Sequence, residues 1–232
     1  MPSPPLPWTD ALRRREALVV LAGAGAAGAL GAWRLVGADP AVAADCVLQQ
    51  ESTEGPFYLD VDLLRRDLRG GRTGTNLALR LKVVDAGTCR PIRGAVVELW
   101  HTDAGGKYSG IASEGTSGKT FMRGAQRTDR SGVARFTTIV PGWYPGRTPH
   151  IHVKVFVGGD VVHTGQLYFR PAVTQAVYAQ GRYRARGRQD TTNASDGIFG
   201  AEGGSRAVLA LKRRGATAAS GYTGGLTLGV QR

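Results

Sequence analysis

His150-Ile151-His152-Val153-Lys154-Val155-Phe156-Val157 alternates along its whole length. Ile151, Val153, Val155 and Val157 share one face, and His150, His152, Lys154 and Phe156 share the other. Period two with β-branched residues predicts a strand whose aliphatic face packs a core. Gly158-Gly159-Asp160 follows directly, a turn signal that predicts a hairpin to a partner strand over residues 161–169.

The same pattern recurs upstream. In Asn76–Asp85, Leu77, Leu79, Leu81 and Val83 face one way and Arg80 and Lys82 the other. Residues 95–100 and Val133–Ile139 are further β-rich runs, separated by Asp103-Ala104-Gly105-Gly106 and Asp129-Arg130-Ser131-Gly132. Short strands with Gly-rich turns predict an all-β fold, a sandwich or a barrel with long loops. Pro171 opens the one helix candidate, residues 172–180. Residues 182–204 are polar and read as irregular. No internal repeat and no second domain boundary is visible, so residues 44–232 read as a single domain.

The chain has 232 residues, 42% hydrophobic and 7% aromatic, which excludes a disordered chain. Its 34 glycines and 11 prolines are too few and too aperiodic for collagen. Two cysteines exclude a disulfide-stapled miniprotein and a Cys-rich zinc domain.

Residues 1–43 read as an export signal. Arg13-Arg14-Arg15 precedes an uncharged stretch, Ala17 to Trp33, and Ala41-Val42-Ala43 supplies the small residues that signal peptidase reads. Paired arginines before a weakly apolar, Ala/Gly-rich run point to the twin-arginine export machinery. A retained membrane anchor is the alternative, but the run is short and weakly apolar for a spanning helix. A periplasmic or extracellular location is oxidising, so Cys46 and Cys89 are candidates for a disulfide, with two free buried thiols as the alternative.

The His150/His152 pair projects two imidazoles from one strand face, one pleat apart, where both can bind one metal ion. A partly exposed polar face is the bland reading. The flanking chain raises the metal reading: Tyr144 sits on a Pro145-Gly146 turn six residues before His150, and Tyr108 lies on the Gly-rich loop after the strand end at Trp100. Two phenolates and two imidazoles form a hard, anionic ligand set, better suited to Fe(III) than to Zn(II). Arg147, three residues before His150, carries a fixed charge that can face developing negative charge.

These residues resemble the intradiol ring-cleavage dioxygenases. The resemblance rests on Lys107-Tyr108-Ser109-Gly110, on Tyr144-Pro145, and on Arg147-x-x-His150-x-His152. It extends to Glu54-Gly55-Pro56-Phe57-Tyr58 and to Gln166 in Gly165-Gln166-Leu167-Tyr168-Phe169, and spans residues 45–171. It implies a β-sandwich and a non-haem Fe(III) held by Tyr108, Tyr144, His150 and His152, with Tyr144 and His152 axial. It further implies a catechol as substrate, O2 as co-substrate, ring opening between the two hydroxyl-bearing carbons and a muconate-type diacid as product. Tyr144 would leave the metal and take a substrate proton, Arg147 would stabilise carbanion character on the ring, and Gln166 would hold Arg147 or a metal-bound hydroxide. Pro56 and Tyr58 are pocket residues by resemblance alone.

Two departures limit what carries over. Only Pro145 and Gly146 separate Tyr144 from Arg147, a shorter loop than in protocatechuate-type enzymes, so substrate specificity does not transfer. The N-terminus lacks room for the helical dimerisation segment of catechol-type enzymes, so oligomeric state does not transfer. With the export signal, the best match is the secreted branch, suited to plant- or lignin-derived catechols.

The remaining candidates have bland readings. Trp100 and Trp143 either line an aromatic pocket or pack the core. His101 and His163 read as polar strand residues rather than ligands. Without residues 1–43 the chain carries 26 Lys+Arg against 15 Asp+Glu, a net +11. No nucleic-acid motif accompanies that charge, and an exported protein does not meet nucleic acid as its partner. The competing function is a non-catalytic transthyretin-like sandwich module, suggested by Val83-Val84-Asp85 and Pro91-Ile92-Arg93-Gly94. Such a module needs no Tyr/His cluster.

Overall fold

The computed structural model describes residues 46–232, so the expected export signal lies outside the described residues. Among the described residues eight strands form two four-stranded sheets: β1 (Asn76–Asp85), β2 (Val96–Trp100), β3 (Arg123–Arg127), β4 (Val133–Ile139), β5 (His150–Val157), β6 (Asp160–Tyr168), β7 (Ala210–Arg213) and β8 (Tyr222–Val230). The first sheet has the order β4-β1-β8-β7, the second β3-β2-β5-β6. β1 runs antiparallel to β4 and parallel to β8. β5 and β6 form the expected hairpin.

The alternating aliphatic positions meet between the sheets. Leu77, Leu79, Leu81 and Val83 of β1 pack with Phe136 of β4 and Leu228 of β8, facing Val97 and Leu99 of β2 and Ile151, Val153 and Val155 of β5. All are buried, which is the main stabilising burial of the sandwich.

The opposite face of β5 is buried too, which alternation alone does not predict. The segment from residue 53 to residue 65 crosses that face of the second sheet, while the residues on either side of it pair with β8 and β4 of the first. Leu64 bridges Ala125, Lys154 pairs with Glu54, and Gln166 Nε2 donates to Thr53 O at 2.9 Å. His150 and His152 therefore lie in a closed layer between sheet and overlay.

The expected helix is α1 (Pro171–Tyr178). The stretch expected to be irregular contains two short helices, α2 (Gly181–Arg184) and α3 (Gly197–Ala201). Asp196 forms the second of these by capping the N–H groups of Ile198 and Phe199.

Cys46 and Cys89 form a disulfide that closes a loop of sequence separation 43 and ties the overlay segment to the first sheet. Closing a loop of that length restricts the unfolded chain by about 4 kcal/mol. Cys46→Ser/Cys89→Ser should therefore lower unfolding stability by a few kcal/mol, read from urea midpoints. Thiol titration of the unfolded, unreduced protein should find no free thiol; two titrating thiols would contradict the bond.

Candidate metal centre

Four side chains from three stretches converge. His150 and His152 come from adjacent outward positions of β5, with their Nε2 atoms 3.1 Å apart. Tyr108 Oη lies 3.1 Å from His152 Nε2 and 3.4 Å from His150 Nε2. Tyr144 Oη lies 3.4 Å from His150 Nε2.

Local chemistry aims each group. The Tyr108 loop is set by Asp103, whose Oδ1 accepts from Gly105 N and Lys107 N, and by Thr116 Oγ1, which donates to Tyr108 O. Tyr144 and Arg147 close the expected turn, with Gly146 at φ 81°. The two tyrosine loops touch through glycine. Gly106 has φ 76°, and a Cβ there would lie 2.1 Å from Trp143 O, so no larger residue fits at this contact.

Protonation states follow from the surroundings. Thr148 O accepts from His150 Nδ1 at 2.7 Å, which places the proton on Nδ1 and leaves a lone pair on Nε2. Burial, followed by the Arg147 charge, pushes His150 down to about 3. Burial and then His150 hold His152 well below the usual imidazole range. Both rings are therefore held in the neutral form, able to offer a lone pair. Burial pushes the Tyr108 phenol well up, reinforced by Tyr144. Burial also raises Tyr144, opposed by Arg147.

This donor set fits a metal ion. Two donors each about 2.1 Å from one ion and at right angles lie ~3 Å apart, close to the separations seen here. His150 Nε2 has His152 Nε2 and both phenol oxygens within 3.1–3.4 Å, a set of donors that one cation can share. Among the described residues no three His, Cys, Asp or Glu side chains gather where they could hold a metal, so a site here depends on the phenols. Phenolate oxygens suit a hard, highly charged ion.

Arg147 and Gln166 stand beside the cluster. Arg147 Nη2 donates to Gln166 Oε1 at 2.5 Å, and Tyr168 Oη donates to the same oxygen at 3.1 Å. Gln166 Nε2 is spent on Thr53 O, so its amide orientation is fixed.

The expected pocket residues divide. Trp100 is buried and stacks on His152, ring centroids 4.8 Å apart and 4° from parallel, so it backs the imidazole rather than lining an opening. Trp143 stands under the Arg186 guanidinium, 4.9 Å away. Pro56 is exposed. Tyr58 turns away to Trp100 and donates to Glu98 Oε2 at 3.2 Å. Its neighbour Phe57 is the aromatic that meets the cluster, stacking on Tyr108 at 4.4 Å and meeting Tyr144 edge-on at 6.0 Å. Arg123 fixes that contact by donating to both Phe57 O and Ser109 O. His101 and His163 stand outside the cluster, and both are buried. His101 bonds Thr102 O and Thr138 Oγ1.

Behind Trp100 on the same face of β2, Glu98 is buried. Burial pushes its carboxyl up to about 7, against the lowering effects of Tyr58 and Lys154. Between the unfolded carboxyl's ordinary range and pH 7 the unfolded chain holds fewer protons than the native one, so stability falls as pH rises through that window. One pH unit of displacement corresponds to ~1.4 kcal/mol, so the cost above pH 7 is about 3 kcal/mol. Glu98→Gln keeps an acceptor for Tyr58 and removes the cost. It should stabilise the protein at pH 8 and not at pH 4, measured by urea unfolding; an equal effect at both would exclude the buried charge as the cause.

The sequence model of the dioxygenase family matches residues 53–180, more than half of the chain. An intradiol ring-cleavage dioxygenase from Tetranychus urticae superposes with a TM-score of 0.75 at 32% identity, covering 80% of this chain and 95% of its own. The dioxygenase domain of a dioxygenase–carbohydrate-binding protein fusion from Streptomyces sp. SirexAA-E gives a TM-score of 0.57 at 27% identity, covering 78% and 96%. The protocatechuate 3,4-dioxygenase beta chain of Burkholderia cepacia is 34% identical over 126 residues, covering 48% of this chain and 52% of the relative. The chain thus spans about half the length of that curated relative. The matched residues carry the overlay segment, both tyrosine loops and the His150–His152 strand, and with them this chain belongs to the intradiol ring-cleavage dioxygenase family.

Proposed function

We propose that this protein is an exported, non-haem ferric dioxygenase that opens catechols between their two hydroxyl-bearing carbons, giving muconate-type diacids. The observation that carries the reading is the convergence of Tyr108, Tyr144, His150 and His152. A ferric ion held by these four would act as a Lewis acid that draws electron density from a bound catecholate and makes the ring reactive towards O2.

The chain's own residues divide the remaining work. Tyr108 is buried beneath Phe57 and serves as the permanent phenolate. Tyr144 is half-buried, on an exposed Pro145-Gly146 turn. It is the phenolate free to swing out, and its Oη takes one catechol proton as the substrate binds. Arg147 lies beside Tyr144 and opposes the upward push of burial on that phenol, and its charge also favours electron density building on the ring. Gln166, itself braced by the Tyr168 hydroxyl, holds Arg147 in place. The layer formed by residues 53–65 keeps bulk water from the imidazoles.

The export reading rests on residues 1–43 and is supported by the Cys46–Cys89 bond, which persists in an oxidising compartment. Ferric reconstitution should give a coloured protein through tyrosinate-to-iron charge transfer. With catechol, O2 uptake should match substrate loss, and the product should gain both oxygen atoms. Iron-loaded protein that stays colourless and consumes no O2 with any catechol tested would defeat the reading.

A further inference from the structure

Asp196 is the least expected polar group near the centre. It lies almost 50 residues beyond Arg147, in a stretch whose composition reads as solvated loop. Its side chain is fully buried. Oδ2 accepts from Arg147 Nε at 2.9 Å and from Thr148 N at 2.8 Å. Oδ1 accepts from Ile198 N at 2.9 Å and Phe199 N at 3.0 Å, at the start of α3. Burial alone would raise its carboxyl; the bonds from Phe199 N, Thr148 N and Arg147 outweigh burial and hold it below the usual carboxylate range. It is therefore an anion at working pH, with all its donors supplied by the protein.

The geometry on Arg147 is specific. A guanidinium is planar, so one bond leaves it free to pivot, whereas bonds on two different nitrogens fix its plane. Gln166 holds Nη2 and Asp196 holds Nε. Nη1 is the nitrogen that neither bond uses, on a guanidinium that also lies within hydrogen-bond reach of the Tyr144 phenol. Asp196 is itself braced, because its second oxygen is committed to α3 and Thr148 Oγ1 donates to Asn193 Oδ1 just upstream. The carboxylate is a fixed strut between a helix start and the arginine.

We propose that Asp196 is a positioning residue for the ring-opening reaction, fixing the Arg147 guanidinium so that Nη1 faces the reacting ring. This rests on the function proposed above. A purely structural role, capping α3, would make the same contacts on Oδ1 and would not act through Arg147.

A double-mutant cycle separates the two. Asp196→Asn keeps an oxygen for the cap but cannot accept at every position that the carboxylate serves. It should lower kcat by about 10–100-fold, the range for groups that orient a catalytic residue, with KM changed far less and with iron content and visible band unchanged. In an Arg147→Ala background the same substitution should cost less than about twofold. In metal-free protein, urea midpoints should show the same non-additivity, a readout that needs no iron. Should Asp196→Asn not fold, Asp196→Ser, which retains a capping oxygen, replaces it. A wild-type enzyme that turns over, with kcat losses that simply multiply, overturns this inference and leaves the proposed function standing. Iron-loaded wild-type protein that fails to open catechols overturns both.

Discussion

Tyr108→Phe should fold as the parent does, yet neither colour with ferric iron nor turn over. The ring is buried and stacked on Phe57, and both features survive the substitution. What is lost is one oxygen, 3.1 Å from His152 Nε2 and 3.4 Å from His150 Nε2. Without iron the Tyr108 hydroxyl donates at most one hydrogen bond to these imidazoles, and Tyr144 Oη is placed to serve His150. The metal-free stability of the variant should therefore stay within about 1.5 kcal/mol of the parent, the range of one ordinary hydrogen bond. With iron the consequence is much larger. The buried centre loses an anionic ligand, and the positive charge of the ion is left poorly balanced where burial disfavours charge. Tyr144→Phe is the useful comparison. Its oxygen is at the half-exposed side, so iron should still bind, with a shifted band and a severe loss of turnover because the proposed acceptor of the substrate proton is gone. Absorption spectra, iron content and O2 uptake on the two variants test this together. A Tyr108→Phe protein with the parent's visible band would remove Tyr108 from the ligand set.

Much of this arrangement could be read from residue types and spacing. The alternation in His150–Val157 and Asn76–Asp85 predicts strands at the observed bounds, because one face of each meets the other sheet. The phenols and imidazoles were legible because their types are unusual together. Other features were not legible, each for a physical reason. β8 reads Tyr-Thr-Gly-Gly-Leu-Thr-Leu-Gly-Val, with too few side chains to alternate. Its glycines answer a demand visible only in three dimensions: a Cβ at Gly225 would lie 1.7 Å from Arg80 O of the parallel neighbour. β3, Arg-Gly-Ala-Gln-Arg, reads as polar loop, yet Arg123 is buried because its guanidinium binds the carbonyls of Ser109 and Phe57. Asp196 looks like any acid in a polar stretch, and only the fold brings it to Arg147. Charged residues satisfied by distant backbone or by one distant partner leave no periodic trace. Phe57 was visible in the motif, but motif order does not say which of three adjacent residues turns inward; the contact with Tyr108 does.

Arg147→Ala separates binding of the metal from the reaction, and it should leave the visible band while removing most of the turnover. None of the four donor atoms belongs to Arg147, so iron should bind in near-parent amount. The guanidinium is half-buried and held on two sides, by Asp196 and by Gln166, so it is already oriented before substrate arrives. A pre-oriented charge in a water-poor site contributes most where charge develops, and deleting one such donor costs about 10²–10³ in kcat, ~3–4 kcal/mol of barrier. Arg147→Lys is the sharper probe. A lysine keeps the positive charge but cannot bond Asp196 and Gln166 in one plane while presenting a third nitrogen. If charge alone mattered, the lysine variant would recover most of the rate; if orientation matters, it should recover only a small part. The alanine variant also leaves Asp196 buried without its cation, so it should lose stability as well, whereas Arg147→Ala/Asp196→Asn should regain part of that loss. Rates that stay within threefold of the parent in Arg147→Ala, with iron bound and the band intact, would take Arg147 out of the chemistry and leave the four ligands as the whole of the machinery.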